Sequence, residues 1–488
     1  MCPWAARDTR YGSRQASRSA SEALCCGCRR WPQQHWRRIA RRRFNGPHQS
    51  RAGVQDREQR GTEVRASARS QREARRPPMN RATETGTAPE NSGTEPPFIT
   101  EVAIERFKAA FKPPPIPLRS FNVVIGRNGS GKSTLLEALQ WLDATIRRDA
   151  REASDRYAGI GDLINLRSQD PYFKLILKWS EGGERPRWRY SLRVDGDEGV
   201  PRVSEEELAL LDVRGRRSRQ YIATKNGERW VQPDGDATSP ARFPVPEPDR
   251  LALVRAAESP HSMESPRGLG PFWQRAVFLR LSPNRLAFGS PATRKSFEPL
   301  LDEEGQTLPA LLNELDRDQR IELIRNVQEI LPRVRGVDVS KAEGGRDTRV
   351  HYSLLERMPY RGRAGLKEFP IPAWMLSEGT RRITAILALL VREPAPTLLC
   401  IEEVENGLDP KTVQAMLAHL QSAADAGTQV IITTHSPWLL DSVPIESIIE
   451  VRRSRNGDTR YERFIARPEI AAYDPRVPAG TRYVQEAD

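Results

Sequence analysis

The chain has 488 residues, 38% of them hydrophobic, with 77 Lys and Arg against 64 Asp and Glu, a formal net charge of +13. That length holds a sizeable core and roughly two to four domains of ~100–200 residues. No apolar run approaches the ~20 residues that cross a bilayer, since the longest, Ile383 to Val391, is interrupted by Thr384, and four of five cysteines crowd the first 28 residues, so a membrane-spanning chain and a disulfide scaffold are both excluded and a cytoplasmic protein is expected.

The charge belongs to one end. Residues 1–78 hold 19 arginines, no lysine and six acidic residues, a net of +13, while residues 79–488 carry 58 of each sign. The high net charge therefore says little about nucleic-acid binding by the rest of the chain. Residues 1–97 are rich in Arg, Ser, Gln, Pro and Gly without apolar periodicity, which predicts a disordered leader. Its Arg-only basicity fits translated GC-rich DNA ahead of a true start at Met79; an Arg- and Ser-rich transit peptide and a basic arm for nucleic acid share the composition. Cys25, Cys26 and Cys28 have no second Cys or His pair at zinc spacing, so no metal is expected there.

From Phe98 the texture changes to that of a folded domain, residues 98–488. Phe98 to Phe107 reads as a strand, Pro113 to Pro117 as a turn, and Phe121 to Ile125 as a strand feeding Gly126-Arg127-Asn128-Gly129-Ser130-Gly131-Lys132-Ser133. This fits G-x-x-x-x-G-K-[ST] between a strand and the helix-like run Thr134 to Leu142, the context the pattern requires. Glycines permit the tight turn that brings backbone N–H groups and a helix N-terminus around phosphates; Lys132 adds a charge and Ser133 a hydroxyl for Mg²⁺. The expected nucleotide contacts are Gly126, Asn128, Gly129, Ser130, Gly131, Lys132, Ser133 and Thr134.

Beyond that helix, residues 150–370 predict a β-hairpin and helical insertion. Tyr172 to Trp179, Trp188 to Val194, Gln220 to Thr224 and Glu228 to Val231 alternate as strands, the last two joined by an Asn226-Gly227 turn. Ser239 to Asp249 reads as a Pro-rich loop. Leu308 to Leu315 and Gln319 to Leu331 have helical spacing, with Ile321, Ile324, Val327 and Leu331 as the apolar stripe. No internal repeat and no long heptad run is present, so a coiled-coil arm is not expected.

Three motifs follow in order. Leu376-Ser377-Glu378-Gly379-Thr380-Arg381-Arg382 precedes an apolar helix, with Ser377 as N-cap. Leu398 to Ile401 is an apolar strand ending in Glu402-Glu403, where one carboxylate can hold Mg²⁺ and its neighbour can orient the attacking water. Gln429 to Thr434 delivers His435 to the carboxyl end of a strand, where α/β proteins bind ligands. A solvated strand end and a structural histidine are the bland alternatives, and the order of the motifs argues against both.

Taken together, Phe98 to Ile465 resembles the ABC-type ATPases, and within them the RecF/SMC/OLD-like branch of AAA type without a TOPRIM domain. The resemblance implies an α/β P-loop head with a mixed central sheet, an antiparallel β subdomain and a helical lid lobe. It implies ATP and Mg²⁺ as cofactors, Glu403 and His435 as catalytic residues, Ser133 and Glu402 on the metal, and Asp409 in a D-loop. Ser377 and Gly379 would act in trans, in a homodimer that sandwiches two ATP molecules. Glu304 to Leu308 is similar to the lid of that branch.

The sequence departs from the pattern in three places: Glu402 stands where most relatives have Asp, the signature reads Ser-Glu-Gly-Thr-Arg with Arg381 or Arg382 to compensate for a missing Gln, and Gln169 is the only candidate for a Q-loop. The expected function is a dimerising ATP-driven switch with a separately encoded effector, as in phage defence. The alternative is a DNA-binding repair-type clamp. A transporter subunit fits poorly, because Ser133 and Leu376 are too far apart in sequence. ATP as a dimerisation glue, with binding rather than turnover as the signal, is the non-enzymatic alternative.

Overall fold

A computed structural model describes residues 97–181, 187–225, 228–231, 241–243, 247–254, 270, 272–294, 298–342, 349–362 and 365–486. Residues 1–96, which include Met79, and Asn226-Gly227 lie outside the described residues, as do 239–240 and 244–246 of the Pro-rich segment, within which Ala241–Phe243 is a strand and not the expected loop.

The centre is a six-stranded sheet in the order β10 (Ala276–Leu279), β15 (Leu398–Ile401), β16 (Gln429–Thr434), β3 (Phe121–Gly126), β17 (Ile448–Arg453), β18 (Thr459–Arg463). All neighbours are parallel except the β17–β18 hairpin, so the sheet is mixed. Its strands are apolar on both faces because both are covered. Alternation at period two then sorts their side chains: Val124, Leu398, Cys400 and Ile431 enter one core, and Val123, Ile125, Leu399, Ile401, Val430 and Ile432 the other. Full burial pushes the Cys400 thiol well above its ordinary pKa, as expected of a packing residue.

One core holds α1 (Lys132–Arg147), α2 (Ala150–Asp155) and an antiparallel sheet in the order β2 (Ile116–Pro117), β1 (Pro97–Glu105), β4 (Tyr172–Glu181), β5 (Trp188–Asp195), β6 (Arg202–Leu211), β7 (Arg217–Lys225), β8 (Glu228–Val231), β9 (Ala241–Phe243). The two sheets are fastened by Gln429, whose side chain accepts from Ile99 N at 2.9 Å and donates to Ile99 O at 2.7 Å.

The other core holds α3 (Leu308–Glu314), α4 (Arg317–Ile330), α5 (Glu378–Leu390) and α6 (Pro410–Asp425), with β11 (Ser290–Pro291), β12 (Val334–Ala342), β13 (Arg349–Arg357) and β14 (Glu368–Pro372) in a small antiparallel sheet. Two expectations need correction. The buried stripe of α4 is Leu323 and Val327, with Ile321 exposed, because Leu323 and Val327 stand one turn apart on one face and Ile321 lies about 160° around the helix from Leu323. β10, within the 150–370 stretch, is a strand of the central sheet. Among the described residues no helix is long and apolar enough to cross a membrane, and the longest, α1 and α6, have 16 residues each.

Candidate functional site

The carboxyl ends of β3, β15 and β16 meet at one rim. β3 ends at Gly126, and the chain turns through Gly129 (φ 73°) and Gly131 (φ 107°) into α1. Gly131 is held in the left-handed region, and a Cβ there would lie 2.8 Å from Thr459 Oγ1, so a side chain is excluded on both counts. Lys132 is buried, and its Nζ donates to Gly126 O at 2.7 Å and Arg127 O at 3.1 Å. Burial lowers its pKa, opposed by Glu403, Glu405 and Glu402. Asn128 and Gly129 are exposed, Ser130 and Thr134 are buried, and Ser133 is half-buried in the first turn of α1.

His435, past the end of β16, joins this loop to the acidic pair. Its Nδ1 lies 3.3 Å from Lys132 Nζ and its Nε2 lies 3.2 Å from Glu403 Oε1. An ammonium only donates, so Nδ1 accepts and the ring proton sits on Nε2, directed at Glu403; the tautomer follows from these neighbours. Glu403 has φ 47°, uncommon for a residue with a side chain, and is pinned there by its N–H on Thr433 Oγ1 (3.0 Å) and its carbonyl on Arg382 Nη2 (3.1 Å). Partial burial opposes ionisation of its carboxyl. The Asn406 amide, His435 and Arg280 overcome that and hold the pKa below the ordinary carboxylate value. Glu402 shows the reverse: burial raises its pKa, Glu137, Glu303 and Glu403 add to the rise, and Arg280, 3.7 Å away, opposes it.

The signature segment also behaves as its spacing suggests. Ser377 is exposed and caps α5, accepting from Thr380 N at 3.1 Å. Gly379 packs on the segment after β15, where a Cβ would stand 2.5 Å from Gly407 O. Gly379→Ala should therefore lower Tm, at a cost of about 1–3 kcal/mol. Alanine in a helix ordinarily gains ~1 kcal/mol over glycine, so a raised Tm in thermal denaturation would count against this contact. Asp409 is exposed and caps α6, accepting from Lys411 N (3.1 Å) and Thr412 N (3.2 Å). The Thr412 hydroxyl and these N–H groups hold its pKa low. Gln169 is exposed in the bend before β4, between Ser168 and Asp170, which both accept from Arg106.

The donor set suits a nucleoside triphosphate with magnesium. A glycine-rich loop opens a 16-residue helix and carries a buried cation, as phosphate binding demands. Mg²⁺ keeps few protein ligands when phosphates complete its shell; hard oxygen side chains here include the Ser133 hydroxyl next to Lys132 and the carboxylates of Glu402, Glu403 and Glu405 that act on Lys132. Among the described residues no cluster of three or more His, Cys, Asp or Glu forms a dedicated metal cage.

Sequence reasoning missed several supports. Glu405 Oε1 accepts from Thr434 Oγ1 (2.8 Å) and His435 N (2.7 Å), fixing the backbone that carries the histidine. A third carboxylate two residues after Glu403 was the available signal. Arg382, 3% exposed, also donates Nη1 to Leu281 O at 3.2 Å and so ties the signature helix to Glu403. Arg453, Thr459 and Tyr461 hold the glycine-rich loop from behind; more than 300 residues of sequence separate them from it, and no local pattern announces them.

Residues 121–441 match the family described as "AAA domain, putative AbiEii toxin, Type IV TA system". Among similar solved structures is an SmcHead bound to the C-winged helix domain of ScpA, at 16% identity and TM-score 0.44, covering 75% of this chain and 97% of that one. The SMC head domain from Thermotoga maritima has 15% identity and TM-score 0.37, covering 75% and 98%. The Smc head domain with an extended coiled coil from Pyrococcus furiosus, bound to the C-terminal domain of ScpA, has 15% identity and TM-score 0.37, covering 75% and 96%. No curated protein matches the chain.

Proposed function

We propose an ATP-hydrolysing, dimerising switch, proceeding from the fact that this chain belongs to that AAA-domain family. The observation that carries the reading is the continuous chain Lys132–His435–Glu403, which links the phosphate loop to an ionised carboxylate at the end of β15. The loop from Gly126 to Thr134 binds the triphosphate, with Lys132 neutralising its charge. Ser133 and Glu402 hold Mg²⁺, which when bound supplies charge neutralisation at the phosphates. Glu403, kept ionised, orients and polarises the attacking water, and His435 lies between that carboxylate and the lysine. Ser377, Gly379 and Asp409 complete the nucleotide site of a second copy, so hydrolysis depends on dimerisation. Gln169 is the proposed Q-loop residue. Residues 98–488 form the ATPase domain in this reading.

Closure on ATP and reopening after hydrolysis would act on a separately encoded effector. The family description, which names a Type IV TA system, supports a partnered role. A DNA clamp is the second reading, favoured by a cleft beside the loop lined by Arg127, Arg452, Arg453, Arg455 and Arg460. Glu450, Glu462 and Glu486 line the same cleft and weigh against it. ATP hydrolysis by the full chain, measured at several protein concentrations with and without duplex DNA, separates the readings. A rate per protomer that rises with concentration and ignores DNA is the expected result. Strong stimulation by DNA moves the assignment to the clamp, and binding without turnover reduces ATP to a dimerisation glue.

A further inference from the structure

The hairpin β17–β18 is bonded to the glycine-rich loop by more than strand pairing. β17 runs parallel to β3 with Val451 opposite Gly126, which brings the hairpin to the root of the loop. Three side chains then take three consecutive loop carbonyls. Arg453 Nε donates to Gly129 O at 3.0 Å and the Tyr461 hydroxyl to Gly131 O at 2.7 Å, while Thr459 Oγ1 lies 3.1 Å from both Ser130 O and Ala109 O and shares its one proton between them. The register explains the match: Arg453 faces Thr459 across the hairpin, and Thr459 and Tyr461, two residues apart, share one face of β18. Thr459 is fully buried and Tyr461 2% exposed, so neither hydroxyl has water as a substitute partner.

A trans peptide points its C=O and the following N–H in opposite directions. Holding the carbonyls of Ser130 and Gly131 against the hairpin therefore directs the N–H groups of Gly131 and Lys132 away from it, toward the side where a phosphate must sit. We propose that Arg453, Thr459 and Tyr461 are positioning residues that lock the phosphate loop in its anion-binding orientation and thereby set the affinity for the triphosphate. This rests on the nucleotide-binding reading of the loop. The three side chains need not touch the nucleotide, because they act through the peptide planes. If the hydroxyls served only to satisfy buried carbonyls, their removal would alter stability and leave nucleotide affinity alone.

The test uses the full chain and a fluorescent ATP analogue. Tyr461→Phe and Thr459→Val each delete one hydroxyl with little change of shape, and Thr459→Ser restores it. Each of the first two is expected to weaken analogue binding about tenfold and raise KM for ATP by a similar factor, with kcat at saturation kept within about twofold. Thr459→Ser should recover most of the affinity that Thr459→Val loses. Parental affinity in both deletions overturns the inference, as does a loss in Thr459→Val that Thr459→Ser fails to recover. Should Tyr461→Phe fold poorly, the Val and Ser pair at Thr459 decides alone. A parent chain that binds no ATP analogue overturns the nucleotide reading and this inference with it, whereas a binding parent with equally binding variants overturns the inference alone.

Discussion

Glu403→Gln is expected to slow ATP hydrolysis by about 10²–10⁴-fold, the range for losing a positioned general base, while nucleotide affinity stays near the parental value. The amide oxygen can accept from Asn406 or from His435 but not from both, and an amide cannot take a proton from water. Binding continues and turnover stops, so an ATP-bound dimer accumulates, visible as a shift to twice the mass in light scattering when ATP is added. Normal hydrolysis by this variant would show that the base lies elsewhere. A second readout follows from linkage. The Glu403 pKa is depressed in the fold, so its ionised form adds stability above its unfolded pKa and loses it as pH falls through the native value. The Tm gap between parent and Glu403→Gln should accordingly narrow from neutral pH toward the acid range. A gap that widens on acidification contradicts the assignment of His435 and Asn406 as its stabilising partners.

Most of the rim was legible because its motifs are local. The octapeptide at Gly126, the apolar strand ending in Glu402-Glu403 and the strand preceding His435 each carry their own context within ten residues, and each element formed where the pattern placed it. Ser377 announced itself as an N-cap in the same way. What stayed hidden depends on register and long-range pairing. β10 is four apolar residues long and gains its identity only by pairing with β15, 122 positions further on. The buried face of α4 is chosen by what packs against it, which leaves Ile321, about 160° around the helix from Leu323, exposed. Arg382 looked like one of two signature arginines, and only the fold shows that its guanidinium reaches the carbonyl of Glu403. The same holds for the hairpin residues behind the loop. Tertiary placement, invisible to periodicity, decides these roles.

Lys132→Ala should remove the chain's response to ATP without unfolding it. In the fold Lys132 is 6% exposed and its pKa is lowered by burial, so carrying its charge at neutral pH works against stability; the three carboxylates Glu403, Glu405 and Glu402 offset this in part. Alanine leaves Gly126 O and Arg127 O without the ammonium and His435 Nδ1 without its donor, which acts in the opposite direction. The two effects nearly cancel, so the Tm without nucleotide should move by only a few degrees. The triphosphate has no such compensation, because a desolvated charge pair that loses one partner typically costs about 2–5 kcal/mol, or roughly 30- to 5,000-fold in affinity. At an ATP concentration about 100 times the parental Kd, the parent gains ~2.7 kcal/mol of stability from ligand binding, and the variant should gain less than about 0.9 kcal/mol. Thermal denaturation of both proteins with and without ATP reads both quantities at once. A variant that keeps the ATP-dependent rise in Tm would show that the charge of Lys132 is not what holds the phosphates; one that unfolds at low temperature without ATP would make the lysine a structural strut of the loop instead.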